Sequence, residues 1–407
     1  AAAILLLSGN HTVPEPALIE NLRAVSSLIV SFFVVMAGFG LANYIVPLRA
    51  LAEKWSATDI AQIGAIYSVG YVLASFITPH FIRATGHVRV FAANIGLMVV
   101  SILLCALVTE VWAWMLFRGM FGFAIAGTYM IMESWLNEKS ANEYRGFMFS
   151  VYMVAAMGGS VAGTYIAPLG DVMTTHLFII SAVVLVSAVF PIALTAASTP
   201  AAPTVVGFDL KSLLRRSPVA FVGTLLTGII AGAWINFSAV YARLSGLSET
   251  GGANLIAAVT IGSIVAQFPL GRASDLVDRR MVMVLGCLLG IIAGAWMIFL
   301  DAGTPYQLYT AACLMGMAIF PNYSLNVAHA NDMAEPGEYV RISSGITVLY
   351  GVGIIIGPLV GGQAIALAGP QGLPMLLAAF FVIYAVYATY RIWRRPLAKV
   401  ASSQPTA

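Results

Sequence analysis

Residues 271–300 read GRASDLVDRRMVMVLGCLLGIIAGAWMIFL, a short charged loop followed by a long run without a strongly polar side chain. A helix of about 20 apolar residues is long enough to cross the hydrocarbon core of a bilayer. The segment 281–300 is therefore predicted to be a membrane-spanning helix that begins directly after a basic loop.

The composition extends this prediction to the whole chain. Of its 407 residues, 60% are hydrophobic and only 9% are charged, whereas soluble proteins carry about 25% charged residues. The net charge of +3 comes without a run of basic residues, which argues against a nucleic-acid partner. We predict an all-α membrane protein with twelve spans, at 25–47, 60–82, 90–109, 111–133, 146–167, 173–194, 218–243, 252–271, 281–300, 304–329, 341–364 and 371–392.

The two halves of the chain repeat each other. Gly122-Phe-Ala-Ile matches Gly316-Met-Ala-Ile at an offset of 194 residues, because 316 − 122 = 194. Two further pairs follow in order, Glu143-Tyr144 with Glu338-Tyr339 and Gly159 with Gly357. Ordered matches at nearly one offset indicate an internal repeat. The predicted organisation is a six-helix half at 1–194, a cytoplasmic central loop at 195–217, a second six-helix half at 218–392 and a cytoplasmic tail at 393–407.

The basic residues predict an orientation. Of the 20 Lys and Arg residues, Arg49, Lys54 and Arg243 fall in loops on one side, Arg118 lies within a span, and the other 16 share the side of both termini. Basic loops stay in the cytoplasm. We therefore expect a multi-pass protein of the bacterial inner membrane with both termini cytoplasmic.

Polar side chains within spans must face protein or a water-filled cavity. They are concentrated in spans 4, 7 and 10, which predicts a central solute path lined by spans 1, 4, 7 and 10. The candidate substrate-binding residues are Arg118, Asn43, Tyr44, Tyr129, Asn236, Asn322 and Asn326. Arg118 could instead extend to the outer interface and only pack there.

Glu133 and His329 are the candidates for carrying protons. Glu133 is the one acidic residue placed within a predicted span, and His329 occupies a similar level on span 10. A carboxyl in such a place can bind and release protons. The alternatives are a gate residue in contact with cytoplasmic water for Glu133 and a hydrogen-bonded structural role for His329.

The loop Gly271-Arg-Ala-Ser-Asp-Leu-Val-Asp-Arg-Arg280 resembles the signature loop G-x-x-x-D-x-x-[GD]-R-[RK] of the major facilitator superfamily. The resemblance implies two pseudo-symmetric six-helix bundles and a gate on the cytoplasmic side. Gly271 is expected to permit close helix approach, Asp275 to cap a neighbouring helix, and Arg279 and Arg280 to pair with Asp275 across the closed gate. The gating set is Gly271, Arg272, Asp275, Arg279, Arg280 and Arg83.

Arg83 occupies the first-half position where the superfamily usually has Asp. In this respect the chain resembles a bacterial branch of the superfamily, the YcaD-like proteins, which likewise carry a basic residue there. The acidic residue of the usual first-half gate is therefore missing. In span 11, Gly353-x-x-x-Gly357-Pro358-x-x-Gly361 resembles the antiporter motif that the family carries in span 5. Span 5 itself has Ser160 where that motif has Pro. The other interpretation is close helix packing at Gly159, Gly163, Gly353, Gly357, Pro358 and Gly361.

These features predict a secondary active transporter that works by alternating access, with the proton as driving ion. Efflux is favoured over the alternative of a proton-linked importer of a small polar or anionic metabolite. A non-transporting receptor or assembly protein on the same scaffold is the third alternative. The sequence has no phosphate-binding loop, no metal-spaced His/Cys cluster and no nucleophile–base arrangement. We expect no enzyme activity, no cofactor and no metal, and a monomer whose partners are a solute, protons and lipid.

Overall fold

The computed structural model describes residues 15–140, 145–194, 209–335 and 338–394. Glu143, Tyr144, residues 195–208 and nearly all of the predicted tail therefore lie outside the described residues. The described residues contain helices and turns and no strand. Twelve long helices, numbered as the predicted spans, are α1 Glu15–Ala52, α2 Ala57–Thr85, α3 His87–Leu107, α4 Val111–Lys139, α5 Arg145–Thr164, α6 His176–Ser187 continued by Val189–Ala193, α7 Pro218–Leu244, α8 Glu249–Leu276, α9 Arg279–Met297, α10 Pro305–Asp332, α11 Tyr339–Ala368 and α12 Gly372–Arg394.

Length and hydropathy identify ten stretches of the described chain that can cross a membrane. One of them, Arg341–Arg394, is 54 residues long and contains both α11 and α12. The helix outside these ten is α10, which carries Gln307, Asn322 and Asn326 among its apolar residues. All twelve predicted spans are thus present as helices, and the most polar of them lies inside the bundle, where Asn322 and Asn326 are buried.

Local signals fix where the helices begin. Ser56 caps α2 and forms a capping box with Asp59, while Ser248 caps α8. Asp278 accepts from the backbone N–H of Arg280 at the start of α9. Gly86, with φ of +85°, separates α2 from α3 in a conformation that favours glycine.

The sequence repeat corresponds to a repeated helix contact. In the first half, α4 crosses α2 with Gly122 against the backbone carbonyl of Tyr67. In the second half, α10 crosses α8 with Gly316 against the backbone carbonyl of Val259. Both glycines lie where a side chain would collide with the neighbouring backbone. The matched positions therefore allow the same close helix contact in each half.

The remaining helix pairs repeat in the same way. Gly159 of α5 lies against the backbone of Phe33 in α1, and Gly357 of α11 lies against the backbone of Ile229 in α7. The α3–α6 contact corresponds to α9–α12. The fold is therefore two six-helix bundles of the same internal pairing, as predicted.

A short helix within the predicted central loop, Leu210–Arg216, packs onto the second half. We call it the linker helix. Leu213 is fully buried in a cluster with Ile342 and Ile346 of α11, and the Arg216 guanidinium pairs with Glu335 and Glu338 at 2.7 and 3.0 Å. The linker helix is thus packed against the second half. We call the face of the molecule that contains residues 209–217 and 277–278 the linker side, and the face that contains residues 53–56 and 245–248 the far side.

Candidate functional site

A cavity of about 340 Å³ lies between the two halves. Helices α1, α2, α4 and α5 form one wall, and α7, α8, α10 and α11 form the other. The volume is within the usual range for small-molecule sites. Contributions from both halves make this cavity the candidate solute site.

Four of the predicted substrate-binding residues line this cavity, namely Asn43, Tyr44, Tyr129 and Asn236. Arg118 does not line it directly but lines a second, much smaller pocket of about 20 Å³ that shares Asn43, Ile235 and Asn236 with the cavity. The predicted set therefore meets at one place, apart from Asn322 and Asn326.

Asn322 and Asn326 are buried inside the second half and do not line the cavity. The Asn326 side chain accepts a hydrogen bond of 2.6 Å from the Tyr384 hydroxyl of α12 and donates one of 3.4 Å to Thr227 of α7. The Asn322 amide donates to the carbonyl of Ala318 in its own helix. Asn326 thus joins α10 to α7 and α12, whereas the hydrogen bond of Asn322 stays within its own helix.

The prediction that spans 1, 4, 7 and 10 line the path omitted half of the walls. Tyr67 and Tyr71 of α2 and Tyr350 of α11 line the cavity, together with residues of α5 and α8. The spacing of Tyr67 and Tyr71 places both on one face of α2, a signal that could have identified them.

Arg118 is 4% exposed and lies among aromatic rings. Its Nη2 donates to Asn43 Oδ1 at 2.5 Å, and its guanidinium carbon lies 4.6 Å from the ring centre of Tyr67 and 4.9 Å from that of Phe121. Its Nη1 has no hydrogen-bond partner in the described protein. Arg118 is thus held inside the bundle and does not extend to the outer interface.

Glu133 lies one helical turn beyond Tyr129, toward the linker side. Its side chain is exposed, although the Tyr152 hydroxyl of α5 lies beside its carboxyl and Tyr323 of the second half is within electrostatic range. The buried Tyr152 hydroxyl has no hydrogen bond of good geometry, and its ring stacks on Phe32 at 4.7 Å. An exposed carboxyl among tyrosines of both halves lies on the wall of the gap between them.

The signature loop forms its ion pairs within the second half. Arg279 pairs with Asp275 at 3.1 Å and with Asp332 at 2.5 Å, and Arg280 pairs with Asp278 at 2.7 Å. Arg279 thus pairs with Asp275 as expected, but within one half and not across the gate, whereas Arg280 pairs with Asp278. Arg83 and Arg272 are exposed.

Two details of the predicted gate are not seen in this conformation. The capping carboxylate is that of Asp278, at the start of α9, and not that of Asp275, which is 67% exposed. A side chain at Gly271 would meet nothing within 4 Å, so close helix approach does not require glycine there. His329 is buried beside this loop, near Arg280, Asp278 and Asp332, and not at the cavity.

Asp278 is held in its charged form. Burial raises the pKa of this carboxyl, but hydrogen bonds from the side chain and backbone of Arg280 lower it more, so the net pKa lies below the ordinary value. The loop thus keeps a stable ion pair at the start of α9.

On the far side, contacts join the two halves directly. The Tyr44 hydroxyl of α1 donates to the backbone carbonyl of Glu249 at 2.8 Å, and the Tyr165 hydroxyl donates to Asn254 Oδ1 of α8 at 2.7 Å. Gly64 of α2 lies against the Asn236 side chain and Pro358. These contacts close the cavity toward the far side.

Comparison with known proteins agrees with this architecture. A family profile described as the Major Facilitator Superfamily matches residues 28–259 and 245–406. An "uncharacterized MFS-type transporter" of Yersinia pestis (strain Pestoides F) is 24% identical over 342 residues, covering 83% of this chain and 87% of the relative. The YcaD protein of Shigella flexneri serotype 5b, described in the same words, is 21% identical over 366 residues and covers 89% and 94%.

Two solved structures share the fold. The nucleoside transporter NupG superposes with a TM-score of 0.79 at 14% identity, covering 90% of this chain and 98% of its own. A bacterial homologue of the human lysosomal transporter Spinster, in an inward-facing and unoccupied conformation, gives a TM-score of 0.71 at 13% identity and covers 93% and 99%. At such identities the likeness concerns the fold alone.

Proposed function

The chain belongs to the Major Facilitator Superfamily of membrane transporters, and from that premise we propose that it is a proton-coupled secondary active transporter of a small solute and not an enzyme. The observation that carries this proposal is the cavity of about 340 Å³ between the halves, which draws its walls from both and is closed on the far side. Rocking of one half against the other would expose such a cavity to each side in turn.

The orientation is part of the proposal. The linker side, where the basic loops lie, is assigned to the cytoplasm of a bacterial cell, so that both termini are cytoplasmic and the far side faces outward. The closed far-side contacts then correspond to an inward-facing state. The halves are assigned to 1–194 and 218–392, joined by 195–217 and followed by the tail 393–407, and the protein acts as a monomer.

Proton coupling is assigned to Glu133. Its carboxyl lies in the gap between the halves and is accessible to water. It is one helical turn from Tyr129, which lines the cavity. Burial of this region when the linker side closes would disfavour the charged form and promote proton uptake. His329 is a weaker candidate for carrying the proton, because it packs beside the signature loop and away from the cavity.

Efflux is preferred over import as the direction of transport. The motif Gly353-x-x-x-Gly357-Pro358-x-x-Gly361 resembles the antiporter motif, and Gly353 and Gly357 lie against the backbone of α7. A strain that lacks the protein should accumulate the solute if the direction is outward. Failure of that strain to take up the solute would indicate the importer.

Purified protein in proteoliposomes tests the proposal as a whole. Solutes that raise the protein's thermal stability, as native-state ligands do, would be loaded and their flux measured with and without an imposed pH gradient. We expect flux that accelerates with the gradient and is accompanied by proton movement. Binding of a protein partner with no flux of any stabilising solute would instead support the receptor or assembly alternative.

A further inference from the structure

The Arg118 guanidinium has a hydrogen-bonding capacity that the described protein does not use. The group has five N–H donors. Nη2 donates to Asn43, and the rings of Tyr67 and Phe121 cover the guanidinium, but Nη1 is buried and has no partner. A buried charge is stable only when it is paired or solvated, so this nitrogen points to a ligand that approaches from the adjoining space.

Within the part of the chain that the structure describes, no carboxylate pairs with this charge. Arg118 has no ion pair with a described residue, and the lining of the cavity and of the small pocket contains no Asp or Glu. Glu133 lies 15 residues further along α4, about 22 Å away along the helix axis. The end of the cavity next to Arg118 is therefore positive.

The small pocket offers space beside the guanidinium. Its volume of about 20 Å³ exceeds what one water molecule requires, so it can hold one oxygen atom of a ligand. Arg118 and Asn43 come from the first half, whereas Asn236 comes from α7 of the second half. The Asn236 amide group donates to the carbonyl of Gly232 at 2.9 Å, which fixes its orientation. A group bound here would touch both halves.

The remainder of the cavity is largely apolar. Phe39, Trp234, Ile256, Phe320 and Ile354 contribute to its walls, and the tyrosines add rings with a few hydroxyl groups. A ligand that fills this space needs a mainly apolar body with few polar groups. Its charge would be concentrated at the end that reaches Arg118.

We propose that Arg118, positioned by Asn43 and faced by Asn236, is an anion-binding subsite, and that the solute is a monoanion with a carboxylate or similar group on an apolar body. The inference rests on the proposed transport function but concerns binding. Asn43 acts as a positioning residue, because its carbonyl oxygen orients Nη2 and leaves Nη1 for the ligand.

Equilibrium binding of matched pairs to the purified full-length protein tests this inference. The pairs are 2-naphthoate, 4-phenylbutyrate and octanoate, each with its carboxamide, titrated by calorimetry. A charge-assisted hydrogen bond to a buried guanidinium should make at least one carboxylate bind about tenfold more tightly than its amide. Arg118→Gln should remove this preference and leave amide binding within about twofold. The matched control Arg89→Gln, at an exposed position, should change neither.

Two further variants distinguish loss of the subsite from loss of folding. Arg118→Lys keeps the charge and should keep part of the preference, whereas Asn43→Asp supplies a carboxylate to Arg118 and should abolish it. The inference is overturned if the wild type binds each amide as tightly as its acid, if it binds none of the six probes, or if the preference survives Arg118→Gln. This experiment measures binding, whereas the proteoliposome experiment measures flux, so the two proposals can fail separately. An anion preference without transport would contradict only the proposed function, and transport without an anion preference would contradict only the subsite.

Discussion

At the level of single residues, helix α4 carries two ionisable side chains with different surroundings. Arg118 is enclosed by Asn43, Tyr67 and Phe121 near the closed end of the cavity, and Glu133 is exposed among tyrosines toward the linker side. The two charges are about 22 Å apart along the helix axis, too far to neutralise each other. We propose that the first of these binds an anion and that the second exchanges protons.

Replacing Glu133 with Gln should uncouple transport from the proton gradient. The amide keeps the size of the side chain but cannot bind or release a proton in the relevant range. Flux of a transported solute into proteoliposomes should respond to an imposed pH gradient in the wild type and not in Glu133→Gln.

The matched control for this change is Glu110→Gln, at the exposed start of the same helix. It should retain the full response to the gradient. Gradient-dependent flux that persists unchanged in Glu133→Gln would show that the proton is carried elsewhere.

The sequence predicted some of these residues and misplaced others for one physical reason. A polar group in a span must face either protein or water, but the sequence does not show which of the two. Asn43 and Asn236 face the cavity, whereas Asn326 is satisfied by Tyr384 and Thr227 within its own bundle. The tyrosines of α2 were missed because a tyrosine in a span also suits an ordinary packed interior.

At the level of helices, glycine determines how closely the pairs approach. Gly122 and Gly316 place the backbones of α4 and α10 directly on the carbonyls of α2 and α8. The repeat of Gly122 in Gly316 was readable from the sequence. The identity of the partner helix was not, because a small residue predicts close approach without saying to what.

Gly122→Ala should destabilise the protein. The added methyl group would fall on the backbone carbonyl of Tyr67, which cannot move without separating α2 from α4. Overpacking of this kind costs about 1–3 kcal/mol, which should appear as a lower apparent melting temperature of the purified protein.

Gly96→Ala on α3 provides the comparison, because a side chain there meets nothing within 4 Å. It should be neutral or slightly stabilising, since alanine is the better helix former. Equal melting temperatures for the two variants would mean that the α2–α4 contact is not as close as described.

The linker helix should remain docked at neutral pH and loosen in acid. The hydrogen bond from Arg216 lowers the pKa of Glu335 below its ordinary value of 4.5. A lowered pKa gives a stabilisation that is complete above the ordinary value and is lost as the pH falls through the lowered one. A spin label at Lys211→Cys, on the exposed face of the helix, should gain mobility only below about pH 4.5.

Glu335 is 65% exposed, so solvent weakens this pair and the change should be small. The same label in a Glu335→Gln background should show a weaker dependence on pH. An acid transition of equal size in both backgrounds would assign it to groups other than Glu335.

At the level of the whole molecule, hydrogen bonds join the two bundles on the far side. The contacts Tyr44–Glu249 and Tyr165–Asn254 close that side, whereas the ion pairs of Arg279, Arg280 and Arg216 stay within the second half. The twelve spans and the repeat followed from hydropathy and spacing. The conformation could not follow from them, because both states of a transporter have the same sequence and the same internal helix pairs.

The central claim is that the cavity opens to the two sides of the membrane in turn, and site-directed labelling from each side tests it without a known solute. The protein would carry Ser160→Cys in the cavity wall, with Cys105, Cys287 and Cys313 replaced by Ala. Ala61→Cys of α2 and Gly362→Cys of α11, which lie against each other across the two halves, would be oxidised to a disulfide before labelling to lock the far side. A membrane-impermeant thiol reagent should label Ser160→Cys from both sides of the unlocked protein and only from the linker side of the locked protein. Labelling that is confined to one side without the lock, or that reaches both sides with it, would contradict alternating access.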